Sequence, residues 1–297
     1  MDATNCLICR GAASFYCSKG RAAYFKCGAC GTIFQQPLPT LKEMKDYVDA
    51  QYLGGLYKEY LEADELKYAG FERRLADVMG IFSGRNPSAG PPRMLDAGCS
   101  NGRFVEVAVR HGLDARGLEL SENAIAAAPP GIGKRIYHGD ANQLETLGIG
   151  KFDIVTVFDL LEHLFDPARF LKNLRKITAA DGIIVITTPD AGSFLRLMMG
   201  GAWPMLQPFQ HTILLSRKAA GMLLREAGFG VISCGGAKKV FTPDYLFGQL
   251  RELNPRLHGA YEKIKKILPK SAREHKIRAN LGEMMIAAAP DKGLGGK

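Results

Sequence analysis

The chain has 297 residues, 46% hydrophobic and 23% charged, with a formal net charge of +9. That balance excludes a disordered chain, and the length suits one main globular domain with an appendage. No run reaches the ~18 apolar residues of a membrane-crossing helix. The opening Met-Asp-Ala-Thr-Asn lacks the basic start and apolar core of a secretory leader, so a reducing, cytoplasmic setting is expected.

The appendage comes first. Cys6-x-x-Cys9 and Cys27-x-x-Cys30 are separated by 17 residues, a spacing that fits a zinc ribbon. Gly11 and Gly31 follow the two pairs and permit the tight turns that aim thiolates at one metal. Residues 14–17 and 22–26 read as its strands. Structural zinc on Cys6, Cys9, Cys27 and Cys30 is therefore expected over residues 1–40. Cys17, Cys99 and Cys234 lack partners at ligand spacing and are expected to be small packed side chains. Residues 41–92 read as a helical cap and linker. Tyr47, Tyr52, Tyr57 and Tyr60 lie along an amphipathic stretch, and the Gly, Pro and Ser of residues 83–92 deliver the chain to a strand.

The chemistry starts at residue 93. Met94-Leu95-Asp96-Ala97-Gly98-Cys99-Ser100-Asn101-Gly102-Arg103-Phe104 runs from an apolar strand through an acid and a glycine turn into a helix. Such a turn lets backbone wrap a small ligand closely, and an adenosine-type cofactor is the first expectation. A nicotinamide cofactor is disfavoured, because that fingerprint needs glycines where Ser100 and Arg103 stand. A second short strand ends at Glu119 and Leu120, 17 residues past Gly102, where a carboxylate suits the two ribose hydroxyls. A third ends near Asp140 and Ala141, with the acid suited to an adenine amino group. The fourth, residues 152–158, is a near-continuous apolar run fit for a strand covered on both faces. It leads through Phe158 and Asp159 into Leu161-Glu162-His163.

Asp96-x-Gly98-x-x-x-Gly102 resembles the first motif of the class I S-adenosylmethionine (SAM) methyltransferases. The Leu-Glu-His segment resembles the signature of the small-molecule enzymes related to those of ubiquinone synthesis. The resemblance covers residues 93–190 and implies SAM held by Asp96, Gly98, Cys99, Gly102, Glu119, Leu120, Asp140, Ala141, Phe158 and Asp159. It implies an α/β fold, a doubly wound, mostly parallel sheet of seven strands, spanning residues 93–290.

Further elements follow in order. Residues 167–177 form an amphipathic helix, 182–189 a buried strand, 216–227 a helix and 229–234 a strand, with 282–289 as the last strand. Residues 198–205, apolar and glycine-hinged around Trp203, lie after a strand end and read as a substrate lid. Residues 238–278 carry 11 Lys or Arg against 4 Asp or Glu. A basic helical insertion is expected there, with residues 259–268 amphipathic. It would face a substrate phosphate, a membrane surface or solvent.

Methyl transfer to a hydroxyl or carbon acid needs alignment and a base, and His163 and His211 are the candidates. His163 is expected to begin the helix after the fourth strand. Residues 208–216 resemble the Tyr-x-Glu-His-x-x-Tyr-Phe-Ser segment of zinc-ribbon sugar C-methyltransferases, although Pro208, Gln210 and Leu214 replace three of its residues. His211 is favoured as the base, with activity expected to fall below its pKa. The resulting expectation is a methyltransferase acting on a small or carrier-linked, anionic acceptor, a sugar hydroxyl first. An RNA methyltransferase and a quinone- or lipid-type O-methyltransferase are the alternatives. Nucleic acid is disfavoured, because the basic segment holds few aromatics.

Overall fold

The computed structural model describes residues 4–40, 42–44, 64–87, 90–253 and 255–293. The four tyrosines singled out between residues 47 and 60 lie outside the described residues. Among the described residues no helix is long and apolar enough to cross a membrane.

The N-terminal hairpins comprise β1 (Thr4–Asn5), β2 (Ala12–Lys19), β3 (Ala22–Cys27) and β4 (Ile33–Gln35). Helix α1 (Asp64–Phe82) leads to β5 (Arg93–Ala97), α2 (Arg103–Arg110), β6 (Asp114–Glu119), α3 (Glu122–Ala126), β7 (Ile136–His138) and β8 (Phe152–Phe158). Then come α4 (Pro167–Ile177), β9 (Thr178–Pro189), α5 (Phe194–Met199), β10 (Ile213–Leu214), α6 (Arg217–Glu226) and β11 (Phe229–Gly236). The chain closes with β12 (Lys239–Phe241), α7 (Pro243–Leu253), α8 (Pro255–Lys265), α9 (Lys270–Arg273), β13 (Ile277–Ala279) and β14 (Glu283–Pro290).

The main sheet has seven strands in the order β11-β14-β9-β8-β5-β6-β7. The β9-β8-β5-β6-β7 set is parallel, while β14 runs antiparallel to both its neighbours. The expected doubly wound fold is therefore present. Its central strands are apolar because both faces are covered. On one face α2 buries Phe104, Val105, Val107 and Ala108 beside Leu75 and Val78 of α1. On the other, α4 and α6 pack Phe170, Leu174, Leu223 and Leu224 onto Val155 and Ile184. Local chemistry sets the helix starts: the Asp166 side chain accepts from the Arg169 N–H at 2.9 Å ahead of Pro167, and Ser216 accepts from the Ala219 N–H at 3.1 Å.

The hairpins do not stand apart. Strand β4 pairs antiparallel with β10, so β1-β2-β3-β4-β10 is one five-stranded sheet. Phe25 and Phe34 enter the same apolar core as Leu161, Ile213 and Leu215.

Four expectations need correction. Trp203 is fully buried against Tyr24, Ile33, Leu206 and Leu214, so it plugs the seam between the hairpins and the main domain and is no lid residue. The exposed apolar groups lie one turn earlier, at Phe194, Leu197 and Met198 of α5. The basic segment is not wholly helical: β12 and β13 pair and bracket its helices, because Val240 and Phe241 sit opposite Arg278 and Ile277 as extended partners. In α8 Tyr261 is buried on Phe247, whereas Ile264 and nearby Ile267 stay exposed, so the apolar stripe is only half used. Cys234 is exposed, since β11 is an edge strand.

Because Trp203 fills that seam, Trp203→Ala is expected to cost about 3–5 kcal/mol of stability in urea unfolding. A change under ~0.5 kcal/mol, as an exposed lid residue would give, would sink the plug assignment.

Candidate functional site

The carboxyl ends of β5, β6 and β8 meet at the turn after β5, where open α/β sheets place their ligands. Gly98 and Gly102 take φ of 78° and 74°, and Ser100 joins them in the left-handed region at 51°. A Cβ on Gly102 would stand 2.7 Å from Ile132 Cγ2 and 2.9 Å from Ile136 Cδ1, so both conformation and packing require glycine. The Gly98 and Cys99 N–H groups donate to the Leu118 carbonyl at 2.8 and 3.1 Å, which ties the turn to β6.

Glu119 ends β6 and is pinned by backbone: Ser100 N–H donates to Oε2 at 2.9 Å, and Leu120 and Ser121 N–H donate to Oε1 at 2.9 and 2.8 Å. Leu120 is exposed. Asp96 is buried at the end of β5 and accepts from Thr156 Oγ1 at 2.7 Å. Burial pushes its carboxyl up to about 7, and the Thr156 hydroxyl only partly offsets this. Asp140 and Ala141 are half-buried just past β7 rather than on it. The first acid, the glycine turn and the second acid thus converge as expected.

Phe158 ends β8, with Phe104 edge-on at 5.1 Å and the Arg74 guanidinium 4.6 Å from its centroid. Asp159 follows in a left-handed conformation, φ 52°. It accepts from Thr187 Oγ1 at 3.1 Å and Lys239 Nζ at 3.4 Å, with Arg74 Nη1 at 3.9 Å. Burial would raise its carboxyl, but Lys239 and Arg74 outweigh that and hold it down. Lys239 also pairs with Glu283 at 2.5 Å, and the two carboxylates keep its ammonium charged despite burial.

His163 ends a short 3-10 turn, Leu161–His163, and does not begin α4, because Asp166 and Pro167 start that helix later. Its Nδ1 meets the Gln210 carbonyl at 2.9 Å, and His211 Nδ1 meets the Met205 carbonyl at 2.8 Å. Carbonyls only accept, so in both rings Nδ1 carries the proton and the lone pair lies on Nε2. The rings sit edge to face, 4.9 Å apart. Glu162, buried and accepting from Thr188 Oγ1 at 2.9 Å, completes a trio whose carboxylate and ring nitrogens lie within 4.8 Å of one another. That donor set also has the composition of a divalent-cation site. Burial drives the His211 pKa down to about 3, aided by His163, and burial with the nearby Asp159 charge drives Glu162 up to about 8.

The four N-terminal thiols also converge. Cys6 and Cys30 sulfurs are 3.6 Å apart, Cys9 and Cys27 sulfurs 3.4 Å, and all four fall within 4.8 Å of one another. Tetrahedral zinc with bonds of about 2.3 Å needs sulfurs about 3.8 Å apart. The cage therefore has the size the ion requires.

Sequence reasoning missed Thr156, Arg74, Lys239 and Glu283. Glu162 stood in the Leu-Glu-His signature and was legible there. The others carry no local signal, because their partners are 44 to 85 positions away.

A family model described as "Methyltransferase domain" matches residues 64–234, more than half of the chain. The chain belongs to this methyltransferase-domain family. Among curated proteins, a ubiquinone biosynthesis O-methyltransferase of Caulobacter sp. (strain K31) is 33% identical over 122 residues, 39% of this chain and 48% of the relative. One of Bordetella avium (strain 197N) is 28% identical over 167 residues, 52% and 66% of the two chains. The chain spans about half the length of the first of these relatives. Among solved structures, the Burkholderia thailandensis 1,6-didemethyltoxoflavin-N1-methyltransferase, with S-adenosylhomocysteine bound, covers 94% of this chain and all of its own at TM-score 0.50 and 14% identity. That likeness concerns the fold of this methyltransferase domain.

The shifted groups make stability depend on pH in opposite senses. His211 is lowered in the fold, so its contribution is lost as pH falls from the unfolded value of about 6.5 toward 3. Glu162 is raised, so its contribution is lost as pH rises from about 4.5 through 8. Glu162→Gln, which keeps an acceptor for Thr188, should raise the melting temperature at pH 8 relative to wild type and leave it little changed at pH 4. Parallel pH profiles for the two proteins would contradict the burial of a neutral carboxyl.

Proposed function

We propose that this methyltransferase domain carries a methyl group from SAM to a hydroxyl of a small acceptor, a quinone precursor in preference to a sugar. The carrying observation is His211: its proton is fixed on Nδ1 by the Met205 carbonyl, which leaves the lone pair on Nε2, and the ring shares one cluster with Glu162 and His163. Asp96, Gly98, Cys99, Gly102, Glu119, Leu120, Asp140, Ala141, Phe158 and Asp159 are assigned to cofactor binding. The glycine turn supports this, since Cβ atoms would close it. So does Asp96, whose buried carboxyl gains from a cationic ligand that lets it ionise. Bound there, SAM supplies an electrophilic methyl group. The protein's part is to align the acceptor and receive its proton.

The strength of the base favours the O-methyltransferase alternative over the sugar reading. Burial makes His211 a weak base, and a phenol of pKa about 10 yields its proton to such a base far more readily than an alcohol near ~16. The phenol therefore suits a proton transfer concerted with methylation better than the alcohol does. The names of the curated relatives agree. His163 is assigned a positioning role, since its Nδ1–H holds the Gln210 carbonyl next to His211.

His211→Ala should then lower turnover with a catechol acceptor by about 10²–10⁴ while SAM affinity is kept. Glu119→Ala should instead weaken SAM binding by about 1.5–3 kcal/mol. Since His211 is held neutral far below pH 6.5, the wild type should show no acid limb from it between pH 5 and 7. Full activity in His211→Ala, measured with saturating SAM, would remove the base from the scheme.

We also propose that residues 1–40 hold one structural zinc through Cys6, Cys9, Cys27 and Cys30, with residues 41–92 as cap and linker and residues 93–290 as the methyltransferase domain. Four protein thiolates would leave no open coordination position. Metal analysis of the purified protein should find one zinc per chain, lost in Cys27→Ser with Cys30→Ser. A zinc-free protein of unchanged stability would refute it.

A further inference from the structure

Beyond Asp159, on the side away from Asp96 and Glu119, a cleft of about 430 Å³ opens between α1 and the strands β9, β14 and β11. Its size is that of a small-molecule site. Three cations reach it from separate elements: Arg74 from α1, Lys238 from the link between β11 and β12, and Arg278 from β13. Among the described residues Asp77 is the one acid in the lining, and the Ser233 hydroxyl adds a neutral donor.

The local pairings leave positive charge over. Asp77 is taken by Arg278 at 2.8 Å and by Arg73 at 3.5 Å. Arg74 lies over the Phe158 ring and is 3.9 Å from Asp159. Lys238 is exposed and has no carboxylate within ion-pair distance among the described residues. Thr187 joins this cleft to the catalytic end of the sheet, since its hydroxyl donates to Asp159.

We propose that the cleft is a subsite for an anionic oxygen group, carboxylate or phosphate, on the acceptor. The acceptor class is then a hydroxylated compound bearing such a group, anchored by Lys238 and Arg278 while its hydroxyl is presented beyond Asp159. This rests on the hydroxyl-methylation reading above, and the subsite is also measurable without turnover. The β12–β13 ribbon thereby gains a role in binding, carrying one anchor in its own strand and holding the other at its entrance.

The test uses the full chain with saturating S-adenosylhomocysteine and three probes: 3,4-dihydroxybenzoate, catechol and inorganic phosphate. By calorimetry, dihydroxybenzoate should bind about tenfold or more tighter than catechol, the increment of one charge-assisted contact. Lys238→Ala with Arg278→Ala should shrink the gap to under ~3-fold, with S-adenosylhomocysteine affinity unchanged; Asp77 keeps Arg73 in that variant. Equal binding of the two aromatic probes, or a gap that survives the double substitution, overturns the subsite. If neither aromatic binds, the hydroxyl-acceptor reading fails, and phosphate decides the subsite alone. Saturable phosphate-induced shifts of the Lys238 and Arg278 amide resonances and of a third lining residue, Thr187, with the Thr187 shift abolished in the variant, uphold it. Absence of such shifts overturns it.

Discussion

The pairing of β4 with β10 is the constraint on which the rest of the site depends. Thr212 is its junction: its carbonyl accepts from the Gln35 N–H at 2.9 Å, and its own N–H donates to the Glu162 carbonyl at 3.0 Å. The Gln35 side chain also accepts from the Phe209 N–H at 3.1 Å. The segment holding His211 is thus gripped by the cysteine-rich hairpins on one side and by the Leu-Glu-His turn on the other. Two backbone bonds and one side-chain bond to a short loop are worth little individually in net terms, on the order of 1 kcal/mol each. Their effect is to deny the loop alternatives. Ser216 donating to the Cys30 carbonyl and Lys218 donating to the Ala29 carbonyl at 2.7 Å extend the same seam to the start of α6.

A second constraint is the charge cluster partly buried at the strand ends. Asp159, Glu283 and Lys239 form one cluster, and Arg74 reaches its edge. A half-buried ammonium between two carboxylates lessens the penalty each would suffer alone. Lys239 arrives on β12, so the excursion between β11 and β14 is coupled to the active end of the sheet rather than hung from it. Glu162 and the two histidines show the other solution to burial, in which the groups stay neutral. Ionised and neutral groups therefore sit side by side, separated by the direction in which each was shifted.

The sequence by itself determined the sheet and the cofactor-side turn. Period and composition sufficed for β5, β8 and β9, because a strand covered on both faces must be apolar throughout. Gly98, Gly102 and Glu119 were legible because positive φ, close packing and a strand-end acid are local demands, written within about 25 residues of each other. The four cysteines were legible for the same reason, since their spacing follows from two tight turns. Tertiary structure alone decided three things. Trp203, apolar in a glycine-hinged loop, read as part of a lid, and only the surface of Tyr24 and Ile33 made it a plug. Lys239 read as one more charge in a basic run, until a β-bridge to Ala279 placed it beside Asp159. His211 and Glu162 were plain as residue types, yet their protonation was not, because a pKa is set by desolvation and neighbouring charge, which exist only once the chain has folded around them.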